Sequence, residues 1–327
     1  MTPDEQIARI RKEKSVQAPQ AEALIRLVDD NEDELQASQR RQAIEAIDLT
    51  RRSYARQPKV PWPSLHELVG PVMPDAFWII GAQTGQGKTT VLMNWLRTIG
   101  LSIAYVLPLE NPPAKMRLMW AALSLSLDPA KVLENRWREL PEDSEKQVQA
   151  HVAEQVEFAE NVVFSEVPYL SLGQLKETFE DAAHCGADVI FIDHIHRMAE
   201  SSYKAIAEAG KLISRYIREF EIPVVATAQF NTGGAERSPF RGFREPCIED
   251  LYMGQVTAHE ALVVMGLYRP LWPMTKEQTA EVRERKTKAW HFAKPGIIGV
   301  HCMKHRVRGT AASGHSVELT YDQGRIV

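Results

Sequence analysis

One stretch decides the fold of this chain: Gly81-Ala82-Gln83-Thr84-Gly85-Gln86-Gly87-Lys88-Thr89-Thr90. An apolar run at 76–80 precedes it, and a helix-prone run at 91–96 follows it. A glycine-rich loop that joins a strand to a helix and ends in Gly-Lys-Thr is typical of a phosphate-binding loop. The loop's backbone N–H groups and the helix N-terminus would face phosphate oxygens. The chain is therefore predicted to bind a nucleoside triphosphate.

Single residues of the loop have separate predicted roles. Lys88 is expected to reach the β- and γ-phosphates, and the Thr89 hydroxyl is expected to hold Mg²⁺. Ala82 stands where such loops usually have their first glycine. The alternative to a nucleotide site is a turn rich in glycine and threonine with a surface lysine. The predicted nucleotide-contacting residues are Ala82, Gln83, Thr84, Gly85, Gln86, Gly87, Lys88, Thr89 and Thr90.

The composition is that of an ordinary soluble globular protein, with 44% hydrophobic and 25% charged residues. The three cysteines lack metal-ligand spacing, which indicates a reducing compartment without a disulfide framework. No apolar run approaches membrane-spanning length and the charged start has no signal-peptide core, so we expect a cytoplasmic location without membrane contact. The net charge of −4 does not indicate nucleic-acid binding, but a local basic loop can bind while the outer surface is acidic.

Residues 1–59 are predicted to form a helical extension, because apolar positions recur there at three-to-four spacing. These helices could lie on the surface or dock on a neighbouring subunit. Three prolines, Pro58, Pro61 and Pro63, mark the end of the extension, since proline cannot continue a helix.

Residues 60–327 alternate strand-like and helix-like runs, which predicts an α/β domain with a mostly parallel sheet covered on both faces. The last strands follow each other at shorter spacing and are expected to pair antiparallel. The charged, helix-prone segment 274–290 is interpreted as an insertion between them. Predicted strands are 76–80, 102–107, 162–164, 189–192, 223–228, 261–267 and 297–303, and predicted helices include 172–183 and 205–220.

Two carboxylates follow predicted strands. Asp193 ends the run 189–192, where a carboxylate beside a phosphate loop would hold Mg²⁺-associated water, although turns also often begin with aspartate. Glu110 is the first acidic residue after the second core strand and could polarise an attacking water. A carboxylate near the start of a helix is an equally good interpretation of Glu110.

The amide of Gln229 follows the predicted strand 223–228 and could sense the γ-phosphate or simply end the strand. The next residues, 231–244, are glycine-rich and basic with interleaved phenylalanines. Arginines neutralise nucleic-acid phosphates and aromatic rings stack on bases, but a mobile surface loop has the same composition.

Alternating side chains would place Lys304 and Arg306 on one side of the last predicted strand's end. They could reach a phosphate on a neighbouring subunit, as an arginine finger does, or form a basic strand end near solvent.

In order and spacing, these motifs resemble those of the C-terminal motor domain of DnaB-type replicative helicases, a branch of the RecA-like ATPases. The resemblance covers about residues 60–327. Residues 79–90 look like the family's phosphate loop, which commonly carries alanine at the position of Ala82. Leu107-Pro108-Leu109-Glu110 is similar to the Ser-Leu-Glu motif, which implies that Glu110 is the catalytic base. Residues 189–198 resemble the Walker B segment, with His194 where tyrosine is common.

Two further segments carry the resemblance. Residues 223–231 resemble the sensor motif, in which Gln229 and Asn231 match and Thr232 replaces an arginine. Lys304-His305-Arg306 looks like the Lys-x-Arg that acts in trans on the neighbour's nucleotide.

The DNA loop departs most from the family pattern. In residues 246–254, Asp250, Leu251 and Gly254 fit the Asp-Leu-Arg-x-Ser-Gly motif, whereas Tyr252 replaces the arginine and one residue is deleted. The resemblance therefore supports ATP hydrolysis better than the details of DNA contact. The predicted DNA-binding residues are Arg237, Arg241, Arg244, Tyr252 and Gly254.

The resemblance implies a RecA-like P-loop ATPase that uses ATP and Mg²⁺, forms a homo-hexameric ring and moves on single-stranded DNA during replication. A helicase loader or a primase is a further candidate partner. The family's separate helical N-terminal domain does not fit in about 57 residues, so a short form is expected, of the kind that a phage or mobile element encodes. The alternative is a RecA-like DNA-dependent ATPase that acts in recombination or regulates replication without unwinding. A metabolic kinase is less well supported, because it is not expected to carry the matching Gln229, Lys304 and Arg306.

Overall fold

The computed structural model describes residues 58–100, 102–158, 161–167, 169–198, 202–231, 246–251, 255–269, 280, 296–322 and 324–326. The chain divides into two units after Gln57, and the described residues belong to the second unit, Pro58–Val327. The helical extension predicted for residues 1–59 lies outside the described residues except for its last two positions, and it stays a prediction. The insertion predicted at 274–290 also lies outside them, except for residue 280.

A nine-stranded sheet organises the described residues, in the order β3-β2-β4-β5-β1-β6-β7-β8-β9. The first six strands in this order are parallel, and the remaining three pair antiparallel. The prediction of a mostly parallel sheet with antiparallel late strands is confirmed. The strands are β1 (Phe77–Ala82), β2 (Ala104–Pro108), β3 (Val162–Phe164), β4 (Val189–Asp193), β5 (Val224–Gln229), β6 (Val263–Tyr268), β7 (Ile297–His305), β8 (His315–Asp322) and β9 (Arg325–Ile326).

Helices cover the sheet, and their starts follow local sequence signals. Pro63, Pro113 and Pro129 each occupy the first turn of a helix, where the missing N–H costs nothing and the fixed φ suits the helix. The predicted helix 172–183 begins as a short 3₁₀ turn, 172–174, before the α-helix proper. The helices are α1 (Pro63–Val69), α2 (Lys88–Arg97), α3 (Pro113–Ser124), α4 (Pro129–Leu133), α5 (Ser144–Phe158), α6 (Leu175–His184), α7 (Tyr203–Phe220) and α8 (Gln255–Glu260).

An apolar core lies on each face of the sheet. On one face, the ring of Trp95 from α2 packs edge-on against Trp62, Trp78 and Phe191, with ring centroids 5.7–6.3 Å apart. A fully buried large apolar side chain contributes about 1.5–3 kcal/mol. This cluster therefore holds α2, the helix after the phosphate loop, firmly against β1 and β4. α6 and α7 cover the other face.

The single glycine of β1, Gly81, is needed for packing rather than for backbone conformation. A Cβ on Gly81 would lie 2.3 Å from Phe230 Cε1 and 2.7 Å from Leu251 Cδ2. Phe230 and Leu251 also form an isolated antiparallel bridge with each other. β1, the strand that leads into the phosphate loop, therefore packs against Phe230, directly before the first predicted DNA loop, and against Leu251, within the second.

None of the helices in the described part of the chain combines the length and the apolar character that a membrane span requires.

Candidate nucleotide-binding site

The predicted phosphate loop connects β1 to α2 at the carboxyl edge of the sheet. Gly85 and Gly87 have φ values of 79° and 98°, which side chains with a Cβ rarely adopt. Gly87 is the N-cap of α2, and the N–H of Val91 donates to its carbonyl over 2.9 Å. The loop therefore directs the positive end of a ten-residue helix at the space beside it.

Lys88 lies at the base of the loop and is only 7% exposed. Its Nζ donates to the carbonyls of Ala82 and Gln83, over 3.1 and 3.2 Å. Burial lowers the pKa of Lys88, while Glu110 and Asp193 oppose this change. A buried ammonium that donates to two neutral carbonyls is favourably placed to gain an anion such as a phosphate.

Three side chains link the phosphate loop to the strands beside it. Thr89 Oγ1 donates to Asp193 Oδ2 over 2.9 Å, and Thr227 Oγ1 donates to Asp193 Oδ1 over 2.7 Å. Burial raises the pKa of Asp193, against the effect of these two hydrogen bonds. A hydroxyl and a buried carboxylate in contact are hard oxygen donors, so Thr89 and Asp193 fit a Mg²⁺ ion. The sequence prediction did not include Thr227, because a threonine inside an apolar strand gives no functional signal.

Glu110 lies beside Asp193 because β2 and β4 are parallel neighbours. Its backbone N–H donates to the carbonyl of Asp193 over 2.9 Å. The Glu110 carboxylate is partly exposed, and its Oε2 lies 3.8 Å from His194 Nε2. Burial, with Lys88 and Arg197, lowers the pKa of His194 to about 4, so this histidine is neutral near pH 7. The Glu110 carboxylate therefore lies beside a neutral ring and close to Asp193.

Gln229 contacts the phosphate loop directly. β5 runs parallel to β1 with Gln229 in register with Ala82, and Gln229 Nε2 donates to Thr84 Oγ1 over 2.9 Å. Its backbone N–H donates to Nδ1 of the buried His196 over 3.2 Å. The ring of His196 thus joins the segment after Asp193 to the end of β5.

An arginine and a tyrosine that the sequence prediction did not include lie beside the loop. The N–H of Arg269 donates to Gln86 Oε1 over 2.5 Å. The Arg269 guanidinium lies 4.6 Å from the centre of the Tyr321 ring. Planar cationic and aromatic groups of this kind are suitable partners for a nucleotide base. Only the sheet brings these distant positions together, so no local motif could have indicated them.

Lys304 and Arg306 lie at the end of β7, on the far side of β6 from β1. Lys304 Nζ donates to the carbonyls of Ala258 and His259 at the end of α8. Burial, and then Arg306, lowers the pKa of Lys304 to about 8. The expectation that both side chains lie on one side of the strand stays a prediction. Arg306 is exposed, just beyond the last residue of β7.

The predicted DNA-binding residues Arg237, Arg241, Arg244, Tyr252 and Gly254 lie outside the described residues. The structure does describe where their loops begin and end. The N–H of Asn231 donates to the carbonyl of Asp250 over 2.6 Å. Asp250 Oδ2 accepts a hydrogen bond from the N–H of Cys247 over 2.9 Å. The two predicted DNA loops therefore share one anchor, next to Gly81.

No cluster of three or more histidine, cysteine, aspartate or glutamate side chains that could hold a metal occurs among the described residues.

The family model of the DnaB-like helicase C terminal domain matches residues 34–322. The replicative DNA helicases DnaB of two Helicobacter pylori strains, J99 and 26695, are 22% and 23% identical over 206 residues, which are 58% of this chain. The chain spans only 39% of the length of these curated relatives.

Solved structures show the same fold. One solved ATPase domain aligns with a TM-score of 0.65 at 18% identity, over 91% of this chain and 99% of that domain. A DnaB-like replicative helicase, solved to show its interactions with primase, aligns with a TM-score of 0.65 at 16% identity, over 83% of this chain and 63% of that one. The predicted RecA-like α/β fold is thereby confirmed.

Proposed function

The chain belongs to the DnaB-like helicase C-terminal domain family, and from this premise we propose that it is an ATP-driven motor that moves on single-stranded DNA. One observation carries the proposal: Thr89 Oγ1 of the phosphate loop is hydrogen-bonded to the buried carboxylate of Asp193, over 2.9 Å. This contact joins the two halves of a site for a triphosphate and its metal ion, although the residues lie on different elements.

The proposed hydrolysis begins with ATP in the phosphate loop. Lys88 exchanges the carbonyls of Ala82 and Gln83 for the β- and γ-phosphates, and residues 82–90 surround the phosphate chain. Mg²⁺, held by Thr89 and near Asp193, would supply positive charge at the phosphates. The Glu110 carboxylate accepts a proton from the water that attacks the γ-phosphorus, and the bond to the β–γ bridging oxygen breaks.

The exposed position of Arg306 supports a site completed by a second copy of the chain. Its backbone N–H donates to the carbonyl of Leu262, just before β6, and β6 separates β7 from the loop-bearing β1. An arginine that neutralises charge in the transition state must contact the phosphate, so Arg306, with Lys304, would act on the neighbour's nucleotide. A closed ring gives every site such a neighbour, and we propose a homo-hexamer.

Coupling between nucleotide and DNA would pass through contacts already described. Gln229 contacts Thr84 of the phosphate loop and also begins the segment that leads to the first predicted DNA loop. Gly81 packs on Phe230 and Leu251, which flank the shared anchor of both loops. Loss of the γ-phosphate would change the contact at Thr84, and Gln229 would transmit this change to Arg237, Arg241, Arg244, Tyr252 and Gly254.

The stacked Arg269 and Tyr321 would contact the nucleotide base. Since stacking tolerates every base, this surface would add affinity rather than strong selectivity among nucleotides.

We place the protein in the cytoplasm, at replicating DNA. A primase or a helicase loader is a proposed partner, because one structurally similar helicase was solved to show its interactions with primase.

Strand displacement on a forked duplex tests the proposal. With ATP and Mg²⁺, the protein should displace a labelled strand, and it should form rings visible by mass measurement or particle imaging with an ATP analogue and single-stranded DNA. Lys88→Ala should abolish displacement, whereas Lys146→Ala, which changes an exposed lysine of α5, should retain it.

A second function is favoured by Tyr252, which replaces the arginine of the family's DNA loop. The chain would then be a DNA-dependent ATPase that acts in recombination or regulates replication without unwinding. ATP hydrolysis that single-stranded DNA stimulates, without any displaced strand, would support this function and contradict the helicase proposal.

A further inference from the structure

The turn that carries Arg306 is fixed by the residues on both sides of it. His305, the last residue of β7, is 6% exposed, and its Nε2 lies 2.9 Å from the carbonyl of Val69. The N–H of Arg308 donates to His305 Nδ1 over 3.0 Å. Because Nδ1 accepts, the ring proton is on Nε2 and is donated to Val69. One imidazole therefore joins the end of α1 to the turn that follows β7.

Arg308 makes a second connection between the same elements. Its Nη1 donates to the carbonyls of Leu68, over 2.9 Å, and Glu67. These carbonyls belong to the last turn of α1. Carbonyls in the last turn of a helix have no hydrogen-bond partner within the helix and carry partial negative charge. Gly70 ends α1 with a φ of 73°, and a Cβ there would lie 3.0 Å from Arg308 Nη2. The end of α1 is thus shaped to accept the guanidinium.

α1 is itself a firm support for this turn. Leu65 and Val69 are 1% and 2% exposed, and the helix packs on β7 and β8. Arg306 lies between His305 and Arg308, and its own N–H is held by Leu262. The backbone of the turn is therefore fixed on both sides of Arg306 and at Arg306 itself, while the side chain of Arg306 projects as an exposed group.

We propose that His305 and Arg308 are positioning residues of the arginine finger: they hold the turn on α1, so that Arg306 projects at the angle that the neighbour's γ-phosphate requires. The proposal rests on the proposed action of Arg306 in trans. Neither residue touches the nucleotide; both act through Arg306. Any partner or chain movement that displaces the end of α1 would also misplace Arg306 and slow hydrolysis in the neighbouring subunit.

The alternative is that both residues merely stabilise the fold. The two roles differ in kinetics, because loss of positioning lowers kcat and leaves the KM for ATP unchanged. They also differ in additivity, since a residue that acts only through Arg306 has no further effect once Arg306 is absent. Misplacement of a catalytic group by about 1 Å can cost about 10²-fold in rate.

The experiment measures steady-state ATP hydrolysis and nucleotide binding of the assembled chain, residues 1–327, with single-stranded DNA. We expect Arg308→Ala and His305→Asn each to lower kcat by about tenfold to 10²-fold, with KM within about twofold of the unaltered protein. Arg308→Lys should recover most of the rate, because an ammonium can still bind the carbonyls of α1. The double variant Arg306→Ala/Arg308→Ala should match Arg306→Ala alone.

His301→Asn is the matched control, because it alters another buried histidine of β7, whose Nδ1 lies 2.7 Å from Ser316 Oγ. It should leave kcat unchanged. If His305→Asn does not fold, the exposed Arg308 variants decide the question. Unchanged kcat in Arg308→Ala, or losses that multiply in the double variant, would overturn the positioning role while leaving the proposed function intact. Normal turnover in Arg306→Ala would instead overturn the action in trans, and the positioning role with it.

Discussion

The phosphate loop and the turn after β7 are built in opposite ways. In the loop, Lys88 and Thr89 already have hydrogen-bond partners within their own chain, and Lys88 is 7% exposed. In the turn, Arg306 is exposed and its neighbour Val307 is 73% exposed, although the backbone is tightly held. The chain thus has a largely preformed phosphate loop and, on a separate part of its surface, the exposed arginine that we propose acts on the neighbour's nucleotide. The difference supports our proposal that one subunit binds the nucleotide and two subunits hydrolyse it.

The largest effect is expected from Arg306→Ala. An arginine finger contributes about 10³–10⁵-fold to kcat, whereas Arg306 makes no contact with its own phosphate loop among the described contacts. Turnover should therefore fall by that order while the Kd for an ATP analogue stays within about twofold. Parallel ATPase and binding assays measure both, with the exposed Arg138→Ala as control. A monomer that hydrolyses ATP normally without Arg306 would remove the distinction between the two regions.

The next effect concerns the base on the loop side. Glu110→Gln keeps the size and the backbone bond to Asp193 but removes the proton acceptor, so kcat should fall by about 10²–10⁴-fold. Because the phosphate contacts remain, nucleotide binding and ring assembly should persist. Glu142→Gln, an exposed carboxylate elsewhere, is the control. Retention of full activity would assign Glu110 to the start of α3 instead of to catalysis.

Gly81→Ala tests the contact between the phosphate loop and the DNA-loop anchor. The added Cβ would overlap Phe230, which costs about 1–3 kcal/mol of stability in a packed interior. Denaturant unfolding should show this loss, and stimulation of the ATPase by single-stranded DNA should weaken more than basal hydrolysis does. Gly173→Ala is the control, because its Cβ would meet nothing closer than Ser171 Oγ at 4.0 Å. If single-stranded DNA stimulates the Gly81→Ala ATPase as strongly as that of the unaltered protein, the contact at Gly81 does not couple the phosphate loop to the DNA loops.

The smallest expected effect is a change of kcat/KM with pH that depends on Lys304, beside the turn after β7. Burial and Arg306 lower the pKa of Lys304 to about 8, so its charge is lost as the pH rises through about 8. If Lys304 assists Arg306, kcat/KM should fall over that range by less than about tenfold, and Lys304→Arg should not show this fall. The stability of the fold should change in the opposite direction. Burial of the charged Lys304 destabilises the folded protein below pH 8, and the free energy of unfolding should rise as this charge is lost between pH 8 and 10.5. Matching profiles for both proteins would exclude Lys304 from the reaction.

The sequence predicts those parts of the fold and site in which one local pattern determines one local structure. The loop at 81–90 and the strand ends at Glu110, Asp193 and Gln229 are of this kind, since the carboxyl ends of parallel strands meet at one edge. β8 is not predicted, because Leu319 is its one fully buried residue and it has no apolar run. Similarly, no local pattern indicates the fit of Arg308 against the end of α1, because its contacts join residues 240 and 241 positions apart.

Thr227 and the pair Arg269–Tyr321 were also beyond sequence reasoning, for the same reason. Each acts through a neighbour that only the sheet supplies: Asp193 for Thr227, and the phosphate loop for Arg269. Arg237, Arg241 and Arg244 lie outside the described residues, and their DNA-binding roles stay predictions.

Mixed rings test the central claim, that each site is built from two subunits. Lys88→Ala protein keeps Arg306 but should not bind ATP, and Arg306→Ala protein binds ATP but lacks the finger. Neither should hydrolyse ATP alone, whereas co-assembly of the two should place an intact finger beside an intact loop and restore a measurable part of the ATPase rate. An inactive mixture, with mass measurement confirming that both variants share the same rings, would contradict the claim.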